Sequence, residues 1–262
     1  MNQAVTFDLW HTLLYLPRAA EEQYIHGQFD LGRSMLESAT DQPGAKLVDP
    51  ALDAVEAFRG AYLEAVQSSE KGVSVPPAEQ IRRAAARLGK LVDADEYVRR
   101  LGDLVTHAGF DVAPDAPRVL SELRESGYRI AVVSNTVGEP GRFLKPICQR
   151  MGLTDPVEFW AWSDELPWTK PSPEIFRYAL SELGVAPINA VHVGDGLADL
   201  QGATAAGYRS GILYTGLRDY GATYAQLFLP IDKESPQADI VVSKLAEVPA
   251  IIHSLFKGEG SL

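Results

Sequence analysis

The spacing of hydrophobic positions changes twice along the chain and divides it into three parts. Residues 4–9 are a short, mainly apolar run, which is typical of a buried β-strand. Residues 18–109 then carry apolar side chains at intervals of three and four, which predicts a series of helices separated by Pro and Gly. After Pro114, short apolar runs alternate with helical patterns. This alternation is typical of a parallel sheet with helices on both faces.

The helical part is predicted to contain four helices, and the alternating part a succession of strands and helices. The first four predicted helices are residues 19–39, 49–69, 78–88 and 94–108. In the second of them, an apolar stripe predicts a face that packs against a neighbour: Ala51, Val55, Phe58, Tyr62 and Val66. The later strands are predicted at 129–133, 157–161, 190–193, 210–214 and 240–242, and the helices at 116–126, 143–151, 173–183, 199–206 and 249–256.

The fold class that follows is α/β, with a Rossmann-like three-layer core, a parallel sheet and an inserted all-helical cap. The core is predicted to comprise residues 1–15 and about 110–262, and the cap residues 16–109. A chain of 262 residues is long enough for these two units. Residues 216–237, rich in Tyr and Gly, are predicted to form an ordered loop or lid.

The net charge and the cysteine content of the chain limit the classes of function that it can have. The net charge of −11 disfavours nucleic acid as a partner, because phosphate backbones are bound through clustered Lys and Arg. Cys148 is the only cysteine, so no intrachain disulfide forms, and it is expected to be an inert core residue. With neither a signal segment nor a long apolar run, we expect a cytoplasmic protein that does not contact membranes. The oligomeric state is left open.

Polar residues stand at the ends of the predicted strands. Asp8 ends the first strand and is followed by Thr12, while Lys170 precedes a helix in the segment Thr-Lys-Pro-Ser-Pro-Glu. Ligands of open α/β sheets bind at the carboxyl ends of the strands, so we expect these side chains to converge. The remaining members of the set follow the second and fourth strands of the core: Ser134, Asn135, Asp195 and Asp199.

These segments, in this order, resemble the four motifs of the haloacid dehalogenase-like (HAD) hydrolases. The first motif of that family is Asp-x-Asp-x-Thr, and this chain has Asp8-Leu-Trp-His-Thr12. The other motifs correspond to Ser134-Asn135, to Lys170, and to the run from Gly194 to Asp199. The resemblance covers nearly the whole chain except the inserted helices, which agree in position and helicity with a C1-type cap.

The resemblance implies a role for each residue. Asp8 would be the nucleophile, with Thr12 orienting it or its loop and lying at the substrate. The Ser134 hydroxyl and the Asn135 amide would bind a phosphoryl oxygen, and Lys170 would neutralise the nucleophile and the transferred group. Mg²⁺ would be held by Asp8, the backbone carbonyl of Trp10 and Asp195, with Asp199 either a direct ligand or one step removed. Asp199 could equally be the N-cap of the following helix.

Trp10 stands where the phosphatases of this family carry their second Asp, the proton-transfer group. An indole cannot exchange a proton at working pH, and loss of a general acid or base costs about 10²–10⁴-fold in rate. A weakened acid–base step is therefore expected, with acyl and aryl phosphates least affected. His11, where the family usually has Gly, is a candidate replacement base.

Three function classes remain open. The first is a magnesium-dependent phosphatase acting on a small anionic, phosphorylated metabolite, which the pair of metal carboxylates favours. The second is a 2-haloacid dehalogenase, because halide leaves without protonation; a phosphonatase-like variant would need a Schiff-base lysine, with Lys46, Lys71 and Lys90 available. The third is a non-catalytic module that keeps the phosphate and metal site.

His192 and three tryptophans near the lysine are expected to serve packing only: Trp160, Trp162 and Trp168.

Overall fold

The computed structural model describes residues 2–44, 51–217 and 238–257. The lid predicted at residues 216–237 lies outside the described residues except for its first two positions. The strands are β1 Ala4–Phe7, β2 Leu14–Tyr15, β3 Thr40–Asp41, β4 Lys90–Leu91, β5 Asp111–Val112, β6 Arg129–Ser134, β7 Phe159–Trp162, β8 Ala190–Gly194, β9 Ser210–Tyr214 and β10 Ile240–Val242. The helices are α1 Arg18–Glu37, α2 Ala54–Glu70, α3 Pro77–Arg87, α4 Ala94–His107, α5 Ala116–Glu125, α6 Gly141–Arg150, α7 Pro173–Leu183, α8 Leu197–Ala206 and α9 Val248–Lys257.

Six strands form one parallel sheet in the order β10-β9-β8-β1-β6-β7. The strand β1 lies in the middle, and Thr6 pairs with Ala131 on one side and with His192 on the other. One face of the sheet packs on α5, α6 and α9, and the other on α7 and α8. The predicted α/β class with a parallel sheet covered on both faces is confirmed.

Helices α1 to α4 pack on one another and share their own cluster of buried side chains, including Phe58, Tyr97 and Leu101. They meet the rest of the chain partly through α4 and α6, where a Cβ on Gly102 would collide with the ring of Phe143. Among the described residues, none of the helices has both the length and the apolar character needed to cross a membrane.

Two details of the helical prediction were wrong. The helix α2 begins at Ala54 instead of residue 49, because the Asp53 carboxylate accepts a hydrogen bond from the backbone N–H of Glu56 at 2.9 Å and so caps the helix. In the apolar stripe, Phe58 and Tyr62 are buried, but Val55 is 40% exposed and Ala51 precedes the helix. Small residues complete the buried face, which lets α1 and α3 approach closely: Ala57, Ala61 and Ala65.

Two pairs of short strands were not predicted. The pair β2 and β5 is antiparallel and joins the segment after Asp8 to the segment before α5. The pair β3 and β4 joins the ends of α1 and α3. Each strand has two residues, which is too short for an alternating pattern to be visible in the sequence.

Candidate active site

The residues expected at the site meet at the carboxyl end of the sheet. Asp8 follows β1, and its backbone N–H extends the pairing with β8 by donating to the Val193 carbonyl at 2.9 Å. Ser134 is the last residue of β6, and the Asp195 segment follows β8. The sheet order places β6 and β8 on either side of β1, so their ends are brought together at Asp8.

Lys170 lies at the centre of the site. Its ammonium donates to Oδ1 of Asp8 and, at 2.6 Å, to Oδ1 of Asp199. All three side chains are at most 5% exposed. Burial alone would lower the pKa of Lys170, but the two carboxylates outweigh burial and raise its pKa above the ordinary value. Lys170 is therefore a permanent positive charge in the site.

Asn135 fixes the backbone that carries this lysine. Its Oδ1 accepts from the Lys170 backbone N–H at 2.8 Å, and its Nδ2 donates to the Lys170 carbonyl at 3.0 Å. Nδ2 also lies 3.4 Å from Oγ of Ser69 in α2, so the side-chain amide of Asn135 is fully used by protein groups. Only its backbone N–H is left to bind a phosphoryl oxygen as the resemblance implies.

Asp199 is held from three directions. Besides Lys170, its Oδ1 contacts Nε2 of His192 at 3.0 Å, and its Oδ2 accepts from the Gly196 backbone N–H at 3.0 Å. The Asp199 carboxylate therefore caps α8 from inside the first turn, and Gly196, not Asp199, is the N-cap residue. Gly194 makes room for this carboxylate, since a Cβ there would lie 2.3 Å from Cγ of Asp199.

His192 was predicted to serve packing only, and that prediction was incomplete. The imidazole is fully buried and packs edge-on against the rings of Phe176 and Tyr208, with centroid distances of 5.0 Å and 6.3 Å. However, it also bridges Asp199 and Oγ1 of Thr6, which lies 2.8 Å from Nδ1. The signal in the sequence was a polar ring inside a buried strand, because a buried imidazole needs hydrogen-bond partners.

Two hydroxyl groups of the predicted site have no hydrogen-bond partner among the described residues. They are Oγ of Ser134 and Oγ1 of Thr12, and both side chains are fully buried. Thr12 therefore does not orient Asp8 through a side-chain hydrogen bond. Buried hydroxyls without partners are costly in a folded protein, so these two groups are suited to binding the oxygens of a ligand.

Trp10 and His11 follow Asp8 in the loop after β1. The indole of Trp10 packs on Phe110 with ring centroids 5.4 Å apart, and its Nε1 is a further buried donor without a partner in the described part of the chain. His11 has φ of 55°, which is uncommon for a residue other than Gly and agrees with the Gly usual in the family. Nδ1 of His11 is 3.9 Å from Oδ2 of Asp195, so the imidazole faces the acidic edge of the site.

The carboxylates fit a hard divalent cation. Oxygen atoms of Asp8, Asp195 and Asp199 lie within 4.8 Å of one another, and Mg²⁺ prefers such oxygen ligands. Burial raises the pKa of Asp8 well above its ordinary value, and Asp199 and Asp195 raise it further against the opposing effect of Lys170. One ammonium does not balance three carboxylates, so a bound cation would relieve the remaining repulsion.

Of the three lysines considered for a Schiff base, the two that the structure describes, Lys71 and Lys90, are not among the buried groups of this site. Nζ of Lys90 donates to the backbone carbonyl of Leu36 at 2.9 Å, at the far ends of α1 and α3. Lys71 is exposed, and Lys46 lies outside the described residues. Cys148 is buried in α6, and burial raises the pKa of its thiol to about 12, in agreement with an inert core residue.

The helices α1 and α3 contact the loop after β6 next to the site, and this interface is called the seam below. Two buried glutamine side chains donate across it, Gln80 to the Val137 carbonyl at 2.6 Å and Gln28 to the Gly138 carbonyl at 3.0 Å. Glu139 follows in the same loop. Burial raises its pKa to about 7, although hydrogen bonds from Gly138 and Tyr24 oppose the shift.

This seam is expected to weaken as the pH rises. Because the pKa of Glu139 is higher in the folded chain than its ordinary value, the folded state is favoured below about pH 4.5 and this advantage is lost through about pH 7. The Glu139 side chain is only partly shielded from solvent, which screens part of the effect. The free energy of urea unfolding of wild type should therefore fall by about 1–2 kcal/mol relative to that of Glu139→Gln over that range. The exposed control Glu125→Gln should follow wild type, and equal curves for all three proteins would contradict the prediction.

The comparisons with known proteins identify the family. A model described as haloacid dehalogenase-like hydrolase matches residues 3–207, and one described as HAD-hydrolase-like matches residues 167–248. The chain belongs to the haloacid dehalogenase-like hydrolases. Membership of this family agrees with the parallel sheet and with the acidic residues at the ends of its strands.

Several curated relatives are named as phosphatases. The chain is 29% identical to "Phosphoglycolate phosphatase" of Nitrosococcus oceani over 53% of its own length and 56% of the relative. It is 30% identical to "Phosphoglycolate phosphatase, plasmid" of Cupriavidus necator over 69% of its length and 74% of that relative. The chain thus spans about half the length of the first of these relatives.

Solved structures agree in fold. A HAD phosphatase from Thermococcus onnurineus is 23% identical, with a TM-score of 0.61, covering 95% of this chain and 97% of that one. A 2-haloacid dehalogenase from Pseudomonas syringae is also 23% identical, with a TM-score of 0.59, covering 97% and 99%. At this identity both similarities show the fold alone, and they do not distinguish phosphatase from dehalogenase.

Proposed function

We propose that this protein is a magnesium-dependent phosphatase that transfers the phosphoryl group of a small anionic metabolite to Asp8 and then hydrolyses the aspartyl phosphate. The observation that carries the proposal is the cluster of the Asp8, Asp195 and Asp199 carboxylates, two of which, Asp8 and Asp199, share the buried ammonium of Lys170. A dianionic phosphate needs such a site to be neutralised by cations before it can approach a carboxylate. The phosphatase names of the curated relatives support the same substrate class, with phosphoglycolate as the first compound to test.

In the proposed reaction, different residues of the chain have separate roles. Lys170 binds Oδ1 of Asp8, which leaves Oδ2 to attack phosphorus as the bond to the leaving oxygen breaks. We expect the hydroxyls of Ser134 and Thr12, which have no partner among the described residues, and the backbone N–H of Asn135 to donate to the phosphoryl oxygens. Mg²⁺, when held by Asp8, Asp195 and the Trp10 carbonyl, would add charge neutralisation for the nucleophile and the phosphate.

We propose that Asp199 is not a direct ligand of the metal. Both of its oxygens already accept hydrogen bonds, from Lys170 and His192 at Oδ1 and from Gly196 at Oδ2. Water attack on phosphorus in the second step then releases phosphate and restores the Asp8 carboxylate. We further propose that residues 16–109 form a cap domain on the core of residues 1–15 and 110–262, which excludes bulk water and selects the substrate.

Because of Trp10, the rate of the proposed phosphatase should depend on the leaving group of the substrate. The indole supplies no exchangeable proton for an alkoxide that leaves, whereas p-nitrophenolate and acetate leave without protonation. In Mg²⁺, wild type is therefore expected to hydrolyse p-nitrophenyl phosphate and acetyl phosphate faster than alkyl phosphates. The variant Trp10→Asp should raise kcat for phosphoglycolate by about 10-fold or more and change kcat for p-nitrophenyl phosphate less.

The matched control is Trp10→Asn, which has the same size as the aspartate variant but no titratable group. If Trp10→Asn raises kcat as much as Trp10→Asp, relief of packing against Phe110 and not proton transfer explains the gain. If neither wild type nor Trp10→Asp hydrolyses any of the three phosphates in Mg²⁺, the proposed function is wrong.

A second candidate is a 2-haloacid dehalogenase, which Trp10 favours because halide needs no proton to leave. The Asp195 and Asp199 carboxylates oppose it, since they would repel the carboxylate of a haloacid. Chloride release from 2-chloropropionate in EDTA distinguishes the two candidates. Release without metal, together with an absence of phosphate hydrolysis, would support the dehalogenase. Phosphate binding without turnover of either substrate would instead indicate a non-catalytic module.

A further inference from the structure

A continuous hydrogen-bonded chain leads from the interior of the sheet to the nucleophile. It begins at Oγ1 of Thr6 in β1, passes through both nitrogens of His192 in β8 and reaches Oδ1 of Asp199. Lys170 then joins Asp199 to Asp8. Every side chain in it is at most 5% exposed, so water does not compete for these hydrogen bonds.

The direction of each hydrogen bond in this chain follows from the chemistry of its members. The Asp199 carboxylate accepts from the Lys170 ammonium at Oδ1 and from the Gly196 backbone N–H at Oδ2, so it acts as an acceptor at both oxygens. Nε2 of His192 must therefore carry a hydrogen. In a neutral imidazole Nδ1 then carries none and accepts from the Thr6 hydroxyl, whose oxygen lies 2.8 Å from Nδ1 and 3.4 Å from the alternative acceptor, the Tyr208 hydroxyl.

One orientation of the Asp199 carboxylate results from these contacts. Gly196 engages Oδ2, while His192 and Lys170 approach Oδ1 from two sides. If the Nε2 donor is removed, the carboxylate keeps Gly196 at Oδ2 but only the flexible lysine at Oδ1, so its rotation about the Cβ–Cγ bond is less restricted. The Lys170 ammonium, which Asp199 shares with Asp8, would then lose its fixed position beside the nucleophile.

We infer that His192, held as its Nε2–H tautomer by Thr6, is a positioning residue that aims Asp199 at Lys170 and so fixes the ammonium against Asp8. The catalytic part of this inference rests on the proposed phosphatase function. The tautomer part rests on the hydrogen-bond geometry alone. Neither residue touches the substrate, so both act on the rate through the placement of Lys170.

Two pairs of variants test the positioning role. The amide nitrogen of His192→Gln reaches the place of Nε2 and can still donate to Asp199, whereas that of His192→Asn reaches only the place of Nδ1. In Mg²⁺ with p-nitrophenyl phosphate, His192→Asn should lower kcat by about 10–100-fold with KM little changed, and His192→Gln should recover most of the loss. Thr6→Val should lower kcat less than His192→Asn does, and Thr6→Ser should restore it.

A spectroscopic measurement tests the tautomer without any turnover. Nitrogen-15 NMR of the wild-type protein labelled at histidine, with the signal assigned by its loss in His192→Gln, should show a neutral ring protonated at Nε2. In Thr6→Val, which keeps the side-chain shape, the signal should shift towards a mixture of tautomers. A ring protonated at Nδ1 or at both nitrogens in wild type would overturn the inference.

The kinetic and spectroscopic results also separate this inference from the proposed function. If wild type turns over no phosphate ester, the proposed function fails, while the nitrogen-15 signal still decides how His192 is held. If wild type is active and His192→Gln is as slow as His192→Asn at equal thermal stability, the positioning role is wrong even though the phosphatase function stands.

Discussion

Replacing Asp8 with asparagine is expected to lower magnesium-dependent phosphatase turnover by at least about 10⁴-fold, because the amide cannot form an acyl phosphate. The same change should leave the protein at least as stable as wild type. Burial raises the pKa of Asp8, and Asp195 and Asp199 repel its charge, so the ionised form costs folding free energy at neutral pH. A neutral amide of the same shape removes that cost.

The measurement combines steady-state kinetics with thermal unfolding at pH 7, each with and without Mg²⁺. Wild type should be stabilised by Mg²⁺ more than Asp8→Asn, because the variant lacks one of the proposed ligands. The exposed control Asp155→Asn should match wild type in both activity and stability. Asp8→Asn that keeps more than about a tenth of wild-type kcat would exclude Asp8 as the nucleophile.

Removing the lysine is expected to affect stability more than any other single change at the site. In Lys170→Met, the buried carboxylates of Asp8 and Asp199 lose the ammonium that they share, and breaking such a buried pair costs about 3–5 kcal/mol. Methionine fills a similar volume, so little of this loss comes from a cavity. Turnover should also fall to the background rate, because the phosphate then meets uncompensated negative charge.

Urea unfolding at pH 7 measures the loss, with the exposed Lys145→Met as the matched control, expected within about 0.5 kcal/mol of wild type. Because the destabilisation comes from repulsion between carboxylates, Mg²⁺ should restore more stability to Lys170→Met than it adds to wild type. A loss below about 1 kcal/mol would show that Asp8 is held in its neutral form by the fold and does not depend on Lys170.

The sequence by itself determined the sheet and the place of the site. Apolar runs of four to six residues could be recognised as strands because a parallel sheet buries both faces. The polar residues that end these runs had to meet, since neighbouring parallel strands end at one edge. The strand-end positions indicated Asp8, Ser134 and Asp195, and the motif order indicated Lys170; the structure places Lys170 against Asp8 and Asp195 near it.

What the sequence did not determine are features that depend on long-range neighbours. The strand pairs β2–β5 and β3–β4 are two residues long, and only helices that have already packed bring them together. The polar partners of His192 come from Thr6, 186 positions away in the chain, and from Asp199 across the start of α8. A local pattern can show that a residue is buried, but only tertiary structure shows which groups satisfy its hydrogen bonds.

For Asp199, too, the sequence indicated one property and only the tertiary structure determined the other. Its spacing after Asp195 marked it as a member of the acidic motif, and two roles, metal ligand or N-cap, were equally open. The tertiary structure places its carboxylate between Lys170, His192 and the Gly196 backbone, which no spacing rule contains. Residue type and order were thus enough to select the reacting groups, whereas their hydrogen-bond partners and charges depend on contacts that form only when distant strands are side by side.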